Sequence, residues 1–321
     1  MKTILSLQTR TNIVLFYYKI INKLFNPIHA RVKIEGITCE KDIQFCNDYD
    51  ICKADCYYKG DLSVKRPVFI NIHGGGFVSG DKGKRKYTSE ELARRGYFVY
   101  VPNYRLAVTD PFPAVIEDII ASINYLHEIK DRFNLDLDRV VLSGDSAGAY
   151  LVSMVYAMIK NESYRLEMNM PKVTVDIKCL VPFCPPVRVL DVISKPSPFG
   201  VNRTTAELFM GMTFKEYSKN KEGYKYEKLL NIDNYIDSNY NNVMLCYAEH
   251  DYFCKGHGEM FKAALEKHGC EFESFKSTRL LDNHCYHMIL FAKISPICHD
   301  KVCAYIEECF ARAEKAQEDK Q

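Results

Sequence analysis

Ser146 stands in Gly144-Asp145-Ser146-Ala147-Gly148, directly behind the apolar run 139–142. A serine hydroxyl is a weak nucleophile until a neighbouring base takes its proton. The G-x-S-x-G spacing suits that task, because a sharp strand-to-helix turn holds the serine strained with its hydroxyl exposed. Side chains at the two flanking positions would meet neighbouring strands, so both are expected to be glycine. The helix that follows points free N–H groups and the positive end of its dipole at the reacting centre. The pentapeptide alone also fits a glycine-rich turn with an idle serine. Its place between a buried strand and a helix favours the nucleophile.

A second glycine cluster, His73-Gly74-Gly75-Gly76-Phe77, also follows a buried run. Consecutive glycines let the backbone approach a ligand with no side chain in the way. The N–H groups of Gly75 and Gly76, with that of Ala147, could hold a developing oxyanion. The competing readings are a phosphate-binding loop or a plain turn. Neither G-x-x-x-x-G-K-[ST] nor G-x-G-x-x-G occurs, which weakens a nucleotide reading.

These two loops need a scaffold, and the chain supplies alternating signals for one. Strands are expected at 67–72, 97–104, 139–142, 243–248 and near 272–280. Helices are expected at 84–95, 114–130, after Ser146, at 257–268 and, beyond the strand near 272–280, in a C-terminal helix to about 315. Strands alternating with helices indicate a mostly parallel sheet with helices on both faces. Between 187 and 240 the strand pattern fades, and residues 205–210 and 214–230 look helical. We read this stretch as a helical cap inserted over the sheet. Residues 11–25 form a further helix, with Ile13, Phe16, Tyr17, Ile20 and Leu24 at three- and four-residue spacing. Its basic neighbours Arg10, Lys19 and Lys23 would allow membrane-surface contact. Packing on the body of the protein is the favoured reading. The expected organisation is an N-terminal helical segment contributing to the cap (1–45), a first core part (46–186), the cap (187–240) and a second core part (241–321).

The chain has 321 residues, enough for one large core, with 43 Lys+Arg against 41 Asp+Glu. That balance argues against a nucleic-acid binder working through a basic surface. The 13 cysteines contain no C-x-x-C pair, so a zinc ribbon or thioredoxin-type site is not expected. We read them as free thiols in a reducing compartment. The apolar stretch 13–18 is too short for a signal-peptide core or a membrane span, and a soluble, cytoplasmic protein is expected.

Together the motifs resemble the α/β-hydrolase superfamily, and more narrowly its hormone-sensitive-lipase-like carboxylesterase branch, with the fold-3 type of α/β hydrolase. That branch carries H-G-G-G, Y-R-L-A, F-P-A and G-D-S-A-G in order. Here they are His73 to Gly76, Tyr104-Arg105-Leu106-Ala107, Phe112-Pro113-Ala114 with Asp118, and Gly144 to Gly148. The resemblance covers about residues 60 to 310. It implies that the Tyr-Arg-Leu-Ala and Phe-Pro-Ala segments brace the active-site loops. It departs at Val108-Thr109, where the family often has Pro-Glu, and at Ala149, where it often has glycine.

The resemblance also implies the remaining partners, in the chain order serine, acid, histidine. The family pattern G-x-x-D-P-L aligns its acid with Asp251, with Tyr252-Phe253 replacing Pro-Leu. Glu249 is the competitor, and an Asp at a strand end can also simply cap a helix. The family's histidine, one variable residue, then an aromatic, fits His284-Cys285-Tyr286, with His287 as the rival. His284 is favoured because it falls in the loop right after the last strand, whereas His287 precedes an apolar run. The implied activity is hydrolysis of small or medium-chain esters, with no metal or organic cofactor and no nucleic-acid partner. An amide or formamide hydrolase of the same fold, and a ligand-binding relative that has lost catalysis, are the alternatives.

Overall fold

The computed structural model describes residues 5–29 and 32–319. Residues 1–4, 30–31 and 320–321, which belong to the expected terminal segments, lie outside the described residues. Eight strands form one sheet: β1 (Ile37–Gln44), β2 (Lys53–Lys59), β3 (Arg66–Ile72), β4 (Phe98–Pro102), β5 (Leu135–Asp145), β6 (Ile177–Phe183), β7 (Val243–Ala248) and β8 (Phe272–Ser277). Their spatial order is β1-β2-β4-β3-β5-β6-β7-β8. β2 runs antiparallel to both its neighbours, and every pairing from β4 across to β8 is parallel.

Successive strand residues point to opposite faces, and the core divides accordingly. Val68, Ile70 and Leu142 join the core under helices Ala114–Asn124 and Ala147–Lys160. Phe69, Val141 and Val181 join the other core, under helices Lys86–Arg94 and Ile294–Glu318. Both faces of the central strands are covered, which is why β7 is apolar throughout and β3 is apolar but for Arg66 and Asn71.

β1, β2 and β6 were not among the expected strands, and each hides behind charge or proline. β1 carries Glu40, Lys41 and Asp42, and its register shifts between Glu40 and Ile43, where Asp42 has φ 58°. β2 includes Asp55, which is buried and reaches the Lys82 ammonium at 2.7 Å. β6 contains Lys178 and Pro182. The expected helix 114–130 is two helices, Ala114–Asn124 and Leu126–Phe133, separated at Tyr125. The expected helix 214–230 is helical only over Phe214–Lys219. Asn220 ends it, and its side-chain oxygen accepts the Gly223 N–H at 3.0 Å, turning the chain. β8 stops at Ser277, whose hydroxyl bonds the Asp282 carboxylate at 2.6 Å. The last helix continues to Glu318, past 315.

The N-terminal helix spans Leu7–His29 and keeps only part of the expected face inside, with Ile13 and Tyr17 packed against the core. Phe16, Ile20 and Leu24 are exposed, while Thr11 and Val14 are buried. Apolar residues lie almost all round residues 13–21, so their spacing did not single out a face. A polar pair does: Arg10 forms an ion pair with Glu207 and bonds Thr204 at 3.4 Å. These partners lie on helix Val201–Met210, one of three short helices between β6 and β7, with Val189–Ile193 and Phe214–Lys219. Among the described residues no helix is long and apolar enough to cross a membrane.

Candidate active site

β5 ends at Asp145, and the chain reverses at Ser146 into helix Ala147–Lys160. Ser146 has φ 54° and ψ −121°, a conformation that a side chain adopts only under strain. The turn is close-packed. A Cβ on Gly144 would stand 2.6 Å from the Gly148 carbonyl carbon, and one on Gly148 would strike the Ile72 carbonyl. The Ser146 N–H donates to the Phe183 carbonyl at 2.9 Å, pinning the turn to the end of β6.

Asp145 ties the two glycine loops together. Arg85 Nε and Nη2 each donate to its carboxylate at 2.6 Å, and the Gly74 N–H donates at 3.3 Å. Below them His73 stacks on Tyr104 with ring centroids 4.2 Å apart. The Tyr104 hydroxyl donates to the His73 carbonyl at 2.7 Å. Burial and the nearby Arg85 charge push the His73 pKa down to about 4. Arg105 donates its backbone N–H to Asp118 at 2.7 Å and its guanidinium at 2.8–3.0 Å. This bracing is what the tyrosine-arginine segment contributes to the site.

His284, in the loop after β8, brings the remaining groups to Ser146. Its Nε2 lies 2.7 Å from Ser146 Oγ and its Nδ1 lies 2.8 Å from Asp251 Oδ2. Asp251, beyond the end of β7, is 2% exposed. Its other oxygen accepts the N–H groups of Phe253 at 2.8 Å and Cys254 at 2.7 Å. Burial would raise the Asp251 pKa, but the His284 charge and these hydrogen bonds win and hold it below the usual range. Burial would lower the His284 pKa. The Asp251 carboxylate, helped by Cys184, outweighs it and raises the value to about 10.

The competing residues lie elsewhere. His287 is buried and stacks on Phe183 at 3.8 Å, and its carbonyl accepts the Ser295 hydroxyl at 2.5 Å. Glu249 is exposed and pairs with Lys276 at 3.5 Å.

Two residues of this site escaped the sequence reading. Asn283 Oδ1 accepts the N–H of Tyr252 at 2.9 Å and that of His284 at 2.7 Å, joining the loops of acid and histidine. Tyr18, from the N-terminal helix, places its hydroxyl in the space that a Cβ on Gly76 would fill. Gly76 has φ 61°, so glycine serves there both for conformation and for room. An amide beside a candidate histidine was a readable hint. Nothing local marked Tyr18, whose contact lies 58 residues further along the chain.

Gly75, Gly76 and Ala147 line one cavity with Ser146 and His284. It measures about 660 Å³, and its walls include Tyr17 of the N-terminal helix and Val189, Val192 and Ile193 of the β6–β7 segment. Among the described residues two donor sets come within 4.8 Å, Cys184-His284-Cys285 and Asp251-Cys254-His284. Both share His284, whose ring nitrogens already meet Ser146 and Asp251.

The sheet order, the serine turn and the loop-borne acid and histidine define an α/β-hydrolase. Residues 54–259 match the BD-FAE family model, and the chain belongs to that family. The fold is shared with esterase B from Lactobacillus rhamnosis, at TM-score 0.83 and 17% identity over 97% of this chain and 98% of that one. It is also shared with a bacterial heroin esterase, at TM-score 0.71 and 18% identity over 94% and 93%. Among curated relatives, esterase LipI of Mycobacterium tuberculosis is 37% identical over 93 residues, covering 29% of each chain. Tuliposide A-converting enzyme b1 of Tulipa gesneriana is 34% identical over 104 residues, covering 29% of this chain and 28% of that one. The chain thus matches under a third of the length of these two relatives.

Proposed function

We propose that this protein is a serine carboxylesterase acting on small or medium-chain esters. The observation that carries the reading is the unbroken contact chain Asp251–His284–Ser146 on the wall of a cavity. Ser146 attacks the ester carbonyl as His284 takes its proton, and Asp251 holds the Nδ1–H tautomer and stabilises the imidazolium. The N–H groups of Gly75, Gly76 and Ala147 receive the oxyanion. The alcohol leaves with the proton from His284, and water then releases the acid by the same steps. The N-terminal segment and residues 187–240 act as the cap that shapes the acyl pocket. The thirteen cysteines, all free thiols, support a cytoplasmic setting.

Labelling by a fluorophosphonate, mapped to Ser146, tests the enzyme reading directly. On substrates, p-nitrophenyl acetate or butyrate should turn over faster than the palmitate ester. A preference for palmitate with activation at a lipid interface would replace the reading with a lipase. Faster turnover of an N-formyl arylamine than of an acetyl ester would replace it with an amide hydrolase.

The pH profile carries a further expectation. A free imidazole would place the acid limb near pH 6.5. Because Asp251 and Cys184 raise the His284 pKa, the base is protonated, and so idle, over a wider range. The rate kcat/KM for p-nitrophenyl acetate should therefore rise with pH along a limb lying above 6.5. Asp251→Asn should lower both the rate and the limb. A wild-type limb at or below 6.5 would contradict the assignment.

A further inference from the structure

We propose that Cys184 and Cys285 are an oxidisable thiol pair that switches the site off by closing to a disulfide beside His284. The proposal rests on the esterase reading for its effect on activity, though not for the bond itself.

Cys184 follows β6 directly, and Cys285 follows His284 directly. Their sulfurs and one ring nitrogen of His284 all lie within 4.8 Å of one another. The Cys285 N–H donates to Cys184 Sγ at 3.3 Å. Both residues hold positive φ, 51° and 56°, where a side chain is strained. Other thiols meet in the fold. Cys246 and Cys298 are 3.9 Å apart, and Cys309 lies against Cys179. All four of those residues are fully buried. Cys285 instead is half-buried and lines the cavity, so a small oxidant that enters it meets a sulfur. The Cys285 thiol bonded to it lowers the Cys184 pKa to about 7, against the effect of burial. The same bond, burial and the Asp145 charge raise that of Cys285, so Cys184 is the thiolate of the pair and the cavity-lining Cys285 the thiol.

The oxidant class is a hydroperoxide, with hydrogen peroxide the simplest. One thiolate sulfur attacks the peroxide oxygen, the O–O bond breaks, and the leaving hydroxide takes a proton to become water. The resulting sulfenic acid is attacked by the second sulfur. The S–S bond forms and a second water leaves. Two thiols lose two electrons and two protons, and one peroxide becomes two waters.

The bond brings the sulfurs to about 2.05 Å. Cys184 is fixed to the sheet, since its N–H donates to the Cys246 carbonyl at 2.7 Å. The movement therefore falls on the loop of Cys285, and its neighbour His284 is drawn off Ser146 and Asp251. A misplacement of about 1 Å at reacting groups costs roughly 10²-fold in rate.

Fully reduced protein is treated with hydrogen peroxide, then assayed on p-nitrophenyl butyrate and mapped as non-reduced peptides. The expected map joins the Cys184 and Cys285 peptides with a loss of two hydrogens. The rate should fall roughly 100-fold and return with dithiothreitol. Cys184→Ala, compared with its own reduced state, should lose the cross-link and most of the peroxide sensitivity. No 184–285 cross-link in the wild type overturns the proposal, as does a cross-link that leaves more than half the activity. Undiminished peroxide inactivation of Cys184→Ala also overturns it. Fluorophosphonate labelling of the reduced protein separates the two ideas. Failure there removes the esterase reading, while the peptide map still reports whether the pair closes.

Discussion

Ser146→Ala lowers kcat on p-nitrophenyl butyrate by roughly 10⁴-fold or more, the loss that follows when a member of a serine triad is deleted. The change removes one oxygen and keeps the Cβ, so the packed turn between Gly144 and Gly148 is undisturbed. Melting should shift little, and fluorophosphonate labelling should vanish. What residual rate remains would come from binding and the oxyanion donors. A variant with near-native turnover would mean that another group is the nucleophile. The measurement is a kcat on purified protein beside a thermal melt, so loss of chemistry and loss of fold are read separately.

Of the two candidate histidines, only one substitution should stop the reaction. His284→Ala removes the group that lies 2.7 Å from the Ser146 hydroxyl, and the rate should fall by a factor comparable to the serine deletion. It also leaves the buried Asp251 carboxylate without its imidazole partner. His287→Ala should keep most of kcat. Its cost is structural, because the ring packs on Phe183 with planes 14° apart. Truncating a buried ring costs on the order of 2–5 kcal/mol, which should appear as a lower melting temperature. A His287→Ala variant that folds but does not turn over, paired with an active His284→Ala, would move the base.

The legible parts of this molecule are those whose requirement is local. Gly144 and Gly148 announce the turn because a Cβ at either would strike backbone within a few residues or on the adjoining strand. β3, β5 and β7 stood out because burial on both faces demands an apolar run. β1 and β2 did not, since a buried Asp55 satisfied by Lys82 looks in sequence like a solvated charge. The loop 220–230 looked helical by composition, and a single Asn–Gly interaction overrode that. Asn283 and Tyr18 act through contacts across 31 and 58 residues of chain, and no spacing rule reaches that far. The N-terminal helix shows the same limit: its existence was readable, but its packing face depends on a glutamate 197 residues away.

That last contact sets a timetable for biosynthesis. Arg10 and its partner Glu207 are separated by 197 residues, and ribosomes add about 5–20 residues per second. The Leu7–His29 helix therefore waits roughly ten to forty seconds before its docking surface has been made. Throughout that interval Val14 and Tyr18, as well as the outward-facing Phe16, Ile20 and Leu24, stand unprotected in a growing chain. A segment so basic and so apolar is a good client for holding chaperones. The element that completes the wall beside Gly76 is thus synthesised early and installed late. Strands β1 to β6 are synthesised before the helix has its docking partner, and β7 and β8 follow that partner.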